Sequence, residues 1–183
     1  MKPLLSLPHR LDRSSMSCRA VIETPKGSRT KFDYDPDSGL FLLDRLLPEG
    51  MSFPLDFGFI PATRGEDGDP LDILVLHDEP IPVGVLAEVR LIGVILGEQR
   101  EGDEAAIRND RLIGVSKASR LHQPVTDVHQ LPDAFLHQLA RFWVNYNELR
   151  GRSYDCKGIR GAAEAADLIE AAPDRHPSGG FST

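Results

Sequence analysis

Leu71-Asp72-Ile73-Leu74-Val75-Leu76-His77 and, after a gap punctuated by Pro80 and Pro82, Val85-Leu86-Ala87-Glu88-Val89-Arg90-Leu91-Ile92-Gly93-Val94-Ile95-Leu96 decide how this chain folds. Both runs are mostly apolar and β-branched, and the prolines between them stop any helix, so both read as buried strands. Upstream, Ala20-Val21-Ile22-Glu23-Thr24 and Thr30-Lys31-Phe32-Asp33-Tyr34 have the same character. Asp35-Pro36-Asp37-Ser38-Gly39 then closes a hairpin onto a further apolar run at 40–47. Residues 52–63 set Phe53, Phe57 and Phe59 among Pro54, Gly58 and Pro61, which is too broken for a helix and suits a curved strand or ordered loop. Residues 97–109 read as a polar, charged loop before a strand resumes at 111–115. Many short strands with turn signals between them predict a barrel.

The C-terminal part changes period. Phe135, Leu139, Phe142, Tyr146 and Leu149 recur at steps of four and three, which places them on one helical face. Pro132 suits the first turn of that helix and Gly151 its end. An Ala-rich stretch at 161–172 predicts a second helix with Leu168 and Ile169 inward. The expected class is α+β, a closed β-barrel with flanking C-terminal helices. Residues 1–18 are expected as a flexible arm, 19–172 as the barrel domain, and the Pro/Gly/Ser-rich 173–183 as a disordered tail.

A chain of 183 residues with 40% hydrophobic and 27% charged residues suits one globular domain. Its net charge of -7 argues against nucleic acid as a partner, which needs clustered Lys and Arg. It leaves room for a small anion, because a bound metal ion reverses the local sign of a site. Cys18 and Cys156 are too few for a disulfide scaffold, no segment has the length of a membrane helix, and no signal-peptide core precedes the domain. A cytoplasmic setting is expected.

Between 65 and 89 the chain has no Lys or Arg, but it carries Asp67, Asp69 and Asp72 directly before Ile73-Leu74-Val75-Leu76. In extended backbone residues two apart share a side, so Asp67 and Asp69 are expected to point together, with Asp72 rejoining them after Pro70. Two carboxylates about 4 Å apart repel by about 4 kcal/mol at an effective dielectric near 20, so such a cluster needs a proton or a cation. All-oxygen donors suit Mg²⁺, with Mn²⁺ as a substitute, and the lack of nearby His or Cys argues against zinc. A solvated turn is the competing reading. An EF-hand is not, since Leu71 and Asp72 stand where that loop needs a ligand and its glycine.

Phosphoryl chemistry also needs positive groups. Lys31 lies mid-strand, Arg45 is embedded among leucines, and Arg111 opens an apolar strand. Each alone reads as an exposed residue of the barrel; together with the carboxylates they make a mixed-sign site suited to a metal-bound polyanion. His77, His122, His129 and His137 form no metal spacing, and Trp143 reads as packing, within the chain or between subunits.

Phe53-Pro54-Leu55-Asp56-Phe57-Gly58-Phe59-Ile60-Pro61 followed by Asp67-Gly68-Asp69-Pro70-Leu71-Asp72-Ile73 resembles the soluble family I inorganic pyrophosphatases. The similarity runs over about residues 20–160, through Asp44-Arg45, Arg90-Leu91-Ile92-Gly93-Val94 and the helix with Tyr146. It implies an OB-like barrel, Mg²⁺-dependent hydrolysis of pyrophosphate to two phosphates and, in bacteria, a homohexamer. By position it implies that Asp67 and Asp72 are metal ligands. Asp69 would be the general base toward a water bridging two metals, which bring its pKa near neutrality. Lys31, Arg45 and Tyr146 would hold phosphates, and Glu23 and Asp33 would stand near additional metals.

Several positions depart from that pattern. Phe53 and Phe57 replace tyrosines, so Phe57 meets substrate without a hydroxyl, and Asn147 replaces a lysine after the helix tyrosine. If Arg111 matches the family's phosphate-binding lysine, Asn109 falls where a metal-ligating Asp is expected. Asp110 would then lie on the other face of the strand. Glu98, Glu101, Asp103 and Glu104 are open candidates for a further loop carboxylate. These departures keep two alternatives in view: a hydrolase of another phosphoanhydride, such as short polyphosphate or a nucleotide, and a non-catalytic barrel that binds or assembles.

Overall fold

The computed structural model describes residues 4–172. Nine strands and two α-helices follow in the order β1 (Ser17–Thr24), β2 (Thr30–Asp35), β3 (Leu40–Leu46), β4 (Asp56–Phe59), β5 (Asp72–Leu76), β6 (Leu86–Glu101), β7 (Ile107–Arg108), β8 (Arg111–Ser116), α1 (Asp133–Glu148), β9 (Arg152–Gly161) and α2 (Ala162–Ala171). Strand β1 pairs β4, β4 pairs β5, β5 pairs β8, β8 pairs β6, and β6 returns to β1. The five strands therefore form a closed ring, as the turn-separated strand pattern predicts, and closure leaves the ring no free edge. All of these pairings are antiparallel except β5 with β8.

Alternation along β5 sends Ile73 and Val75 into one apolar cluster and Leu74 and Leu76 into another. The first cluster gathers Ile22, Val89, Leu91 and Leu112 under Ala165, Ala166 and Ile169 of α2. The second gathers Ile92, Ile113 and Val115 under Leu136, Leu139 and Trp143 of α1. Both faces of β5 are thus buried, which is why its sequence is continuously apolar. Gly58 lets β4 approach β1: a Cβ there would stand 1.9 Å from the Val21 carbonyl oxygen.

Four sequence expectations change. Residues 97–109 are not a loop: β6 runs on to Glu101, and after a turn β7 pairs back, Glu98 opposite Arg108 and Gln99 opposite Ile107. Their charged outer residues hid the strand period. Strand β9 was not foreseen; it lies along the far half of β6 from Gly93–Gly161 to Glu101–Arg152, and its polar composition reflects a partly exposed outer position. The buried stripe of α1 is Leu136, Leu139, Trp143, Tyr146 and Asn147, whereas Leu149 is exposed beyond the last turn. Finally, the segment expected as a loose arm is tied down from Leu4 onward. The Leu4 N–H donates to the Tyr34 hydroxyl (3.2 Å), the Leu5 carbonyl accepts from Ala62 (2.9 Å), and β1 already begins at Ser17. The tail expected at 173–183 lies outside the described residues.

Candidate active site

A cavity of about 720 Å³ lies where the β2–β3 hairpin, the 62–71 loop, the β6–β7 turn, the start of β8 and the end of α1 meet. Strand register sets its first ion pair. The parallel pairing of β5 and β8 puts Arg111 beside Asp72, and the two form a salt bridge. Arg111 is 4% exposed, with its guanidinium 4.5 Å from the Trp143 ring and 5.8 Å from that of Tyr154, and it also donates to the Asn109 Oδ1. Such stacking suits a planar guanidinium, which is weakly hydrated and tolerates burial.

The β2–β3 register sets the second group. Lys31 stands opposite Arg45, and the bulge after it leaves Asp44 beside Arg45, whose Nε is 2.5 Å from the carboxylate. The Lys31 ammonium is buried, 5.0 Å from the Phe57 ring, in an ion pair with Asp33 and 3.7 Å from Glu23. Burial pulls its pKa down, but Glu23 and Asp33 outweigh that and leave it raised.

The aspartate loop is a turn and not the extended segment the spacing implied. Gly68 adopts φ +92°, which L side chains avoid; Asp69 N–H donates to the Asp67 Oδ1 (3.2 Å); and the Asp69 carbonyl accepts from Gly65 (2.7 Å). The buried Thr63 hydroxyl anchors the loop, donating to the Ile60 carbonyl and accepting from Leu71. Asp67 and Asp69 both reach the cavity by this route.

All the residues expected at the site line this one cavity: Glu23, Lys31, Asp33, Arg45, Phe57, Asp67, Asp69, Asp72, Asn109, Arg111 and Tyr146. Asp110 faces away, accepting from Gly97 N–H and from Arg108. Of the open loop carboxylates, Glu101 and Glu104 line the cavity, and Glu101 is engaged by Arg152 at 2.5 Å. Asn147 does not line it; the side chain is buried and donates to the Trp143 carbonyl. Asp44, Trp143, Arg150 and Arg152 were missed. The four-residue step from Tyr146 to Arg150 is the signal that could have placed Arg150 on the cavity side of α1.

Eight acidic and five basic side chains line the cavity, an excess of three negative charges when all are ionised. Burial pushes Asp72 up to about 6 against the attraction of Arg111 and Lys31, and the charges of Asp67 and Asp69 push the same way. Burial likewise raises Glu23 to about 7, although Lys31 opposes it. Asp67 is raised by burial and by Asp69. These are the marks of carboxylates that lack sufficient cations. Among the described residues no three acidic, His or Cys side chains converge into a ready-made metal cage. An open all-oxygen set still fits a hard divalent ion such as Mg²⁺, which keeps several waters and takes only one or two carboxylates, completing its shell with substrate phosphates.

Comparison with known proteins gives the same picture. A family model described as inorganic pyrophosphatase matches residues 20–176. The inorganic pyrophosphatase of Thermus thermophilus is 36% identical over 179 residues, 96% of this chain and 99% of that protein. That of Corynebacterium glutamicum is 37% identical, covering 88% of this chain and 99% of its own length. The crystal structure of the Thermus thermophilus enzyme superposes with a TM-score of 0.83 over 93% of this chain and 96% of that one, at 36% identity. The Helicobacter pylori inorganic pyrophosphatase gives 0.81 at 31% identity, over 91% of this chain and 95% of that one. The aspartate turn and the cations that face it thus sit in a chain that belongs to the inorganic pyrophosphatase family.

Proposed function

We propose that this chain hydrolyses inorganic pyrophosphate to two phosphates with divalent cations, Mg²⁺ foremost and Mn²⁺ as a substitute. The observation that carries the reading is the charge imbalance of the cavity. A hollow with eight acidic and five basic side chains repels a polyanion on its own and accepts one only together with cations. When bound, divalent ions act as Lewis acids toward water and phosphoryl oxygens. Asp67 and Asp72 would hold a divalent ion, with Glu23, Asp33 and the side-chain carbonyl oxygen of Asn109 as further oxygen donors lining the same cavity.

Asp69 is exposed to the cavity and accepts a proton from the attacking water as the new P–O bond forms and the bridging P–O bond breaks. Lys31 and Arg45 neutralise the departing phosphate, Arg111 and Tyr146 hold the other oxygens, and Phe57 walls the site. We further propose a cytoplasmic homohexamer, in line with the family resemblance. Two free thiols support a reducing compartment, and the exposed Leu40, Leu42, Leu43 and Leu46 of β3 offer apolar surface for assembly.

A phosphate-release assay on pyrophosphate, tripolyphosphate and ATP, with Mg²⁺ or Mn²⁺, tests the reaction. Pyrophosphate turnover with the Asp69→Asn variant nearly inactive and equally stable is expected. Unchanged turnover in that variant removes Asp69 from its role. Absence of release with either metal favours a binding module, and preference for tripolyphosphate or ATP favours the other phosphoanhydride reading.

A further inference from the structure

Five cations line the cavity, and four of them have carboxylate partners within it: Lys31 with Asp33, Arg45 with Asp44, Arg111 with Asp72, and Arg152 with Glu101. Arg150 is the exception. Among the described residues its guanidinium makes no ion pair; its neighbour is the Tyr146 ring, 5.7 Å away. It follows the last turn of α1, four residues after Tyr146, and Gly151 at φ +70° turns the chain away into β9 directly behind it. The side chain is half-buried, and burial together with the charges of Arg45 and Arg152 lowers its pKa. A cation held this way gains most from an arriving anion, because no local carboxylate must first be displaced.

We propose that Arg150 binds a phosphoryl group of the substrate, a task that Asn147, three residues earlier, cannot perform. Asn147 cannot reach the anion: it is 1% exposed and its Nδ2 is committed to the Trp143 carbonyl at 2.9 Å. Arg150 reaches the same chamber from the next turn of chain, with a fork suited to bidentate contact with phosphate oxygens. This assignment rests on the pyrophosphatase reading for the identity of the anion, but its geometry concerns any diphosphate. A merely structural role, capping the carbonyls at the end of α1, is the competing explanation.

Titration calorimetry with methylenediphosphonate, a P–C–P diphosphate that cannot be hydrolysed, in the presence of Mg²⁺ separates these. Arg150→Ala should bind it roughly ten- to a hundredfold more weakly, with KM for pyrophosphate rising alongside, as expected for a lost charge-assisted contact. Arg150→Lys should recover part of the affinity, and Arg160→Ala, an exposed arginine outside the cavity, should bind like the unmodified chain. A lowered melting temperature in Arg150→Ala with affinity within twofold of the unmodified chain overturns the proposal in favour of the capping role. A chain that fails to hydrolyse pyrophosphate, yet binds methylenediphosphonate in an Arg150-dependent way, overturns the pyrophosphatase reading and keeps this one.

Discussion

Stripping divalent ions from this protein should reverse the usual direction of its pH dependence between mild acid and neutrality. Burial raises Glu23 from 4.5 to about 7 and Asp72 from 3.8 to about 6. Between those values the folded state holds protons that the unfolded chain has released, so stability falls as pH rises. The contribution is complete below the unfolded values and is lost through about pH 6 and 7. At about 1.4 kcal/mol per pKa unit each shift alone is worth on the order of 3 kcal/mol. The two groups share Lys31 as an opposing charge and are not additive, so about 3 kcal/mol is the expected loss for the pair. For a chain of this size that is a fall in Tm of roughly 6–12 °C. Carboxylates with lowered pKa, such as Asp12 at about 2, change stability only at more acid pH and leave this window untouched.

The assay is thermal unfolding by circular dichroism at pH 5 and pH 8, with EDTA or with Mg²⁺. With EDTA, Tm should drop toward pH 8; with Mg²⁺ the drop should vanish, because ions that bind only the folded, ionised site add RT ln(1 + [L]/Kd). Glu23→Gln and Asp72→Asn should each flatten the EDTA profile. A metal-free Tm that stays level or rises from pH 5 to pH 8 refutes the view that these carboxylates are held without enough positive charge.

Gly58→Ala should cost at least about 3 kcal/mol in urea unfolding, because the added Cβ meets backbone of β1 at 1.9 Å and only a strand shift relieves it; a cost under about 1 kcal/mol contradicts that closure geometry. Trp143→Ala should cost roughly 3–5 kcal/mol and also lower kcat/KM by releasing Arg111 from its stacked position. Loss of stability with kcat/KM unchanged would show that the stack does not position Arg111. Phe57→Tyr should lower KM for pyrophosphate about two- to tenfold by adding one hydrogen bond, and an unchanged KM would mean that the ring does not face a phosphate oxygen.

The closed ring was legible because its strands are buried on both faces, so Ile73-Leu74-Val75-Leu76 and Leu91-Ile92 announce themselves without a partner in view. Strand β9 and the far end of β6 escaped notice for the opposite reason. Ser153, Asp155 and Lys157 face solvent, and their strand character comes only from pairing with β6. The aspartates were legible as a cluster, but the reason offered, a shared side of an extended strand, was wrong. The turn at Gly68 and the Asp67 side chain acting on Asp69 N–H bring them together instead. The partners of the cations were only partly legible. Asp44 directly precedes Arg45, but Asp72 meets Arg111 only through the parallel register of β5 and β8, which depends on the whole ring.

The two aromatic and amide departures make physical sense as one change. Phe53, Phe57, Phe142, Trp143 and Tyr146 pack with ring centroids 5.1–6.4 Å apart, and Asn147 bonds back to the Trp143 carbonyl behind them. A lysine at 147 would bring a charge behind this wall, and a tyrosine at 57 would put a hydroxyl on its face. With neither, the wall stays apolar on the side where Lys31 and Arg111 rest against rings. Their fields then reach the substrate through less polarisable surroundings, which strengthens each charge in proportion as the effective dielectric falls. The wall thus carries neither a hydroxyl at 57 nor a charge at 147, and Lys31 and Arg111 are the cations that rest on its rings. On the side of α1 the arriving anion then meets Arg150, the cavity cation with no carboxylate of its own among the described residues.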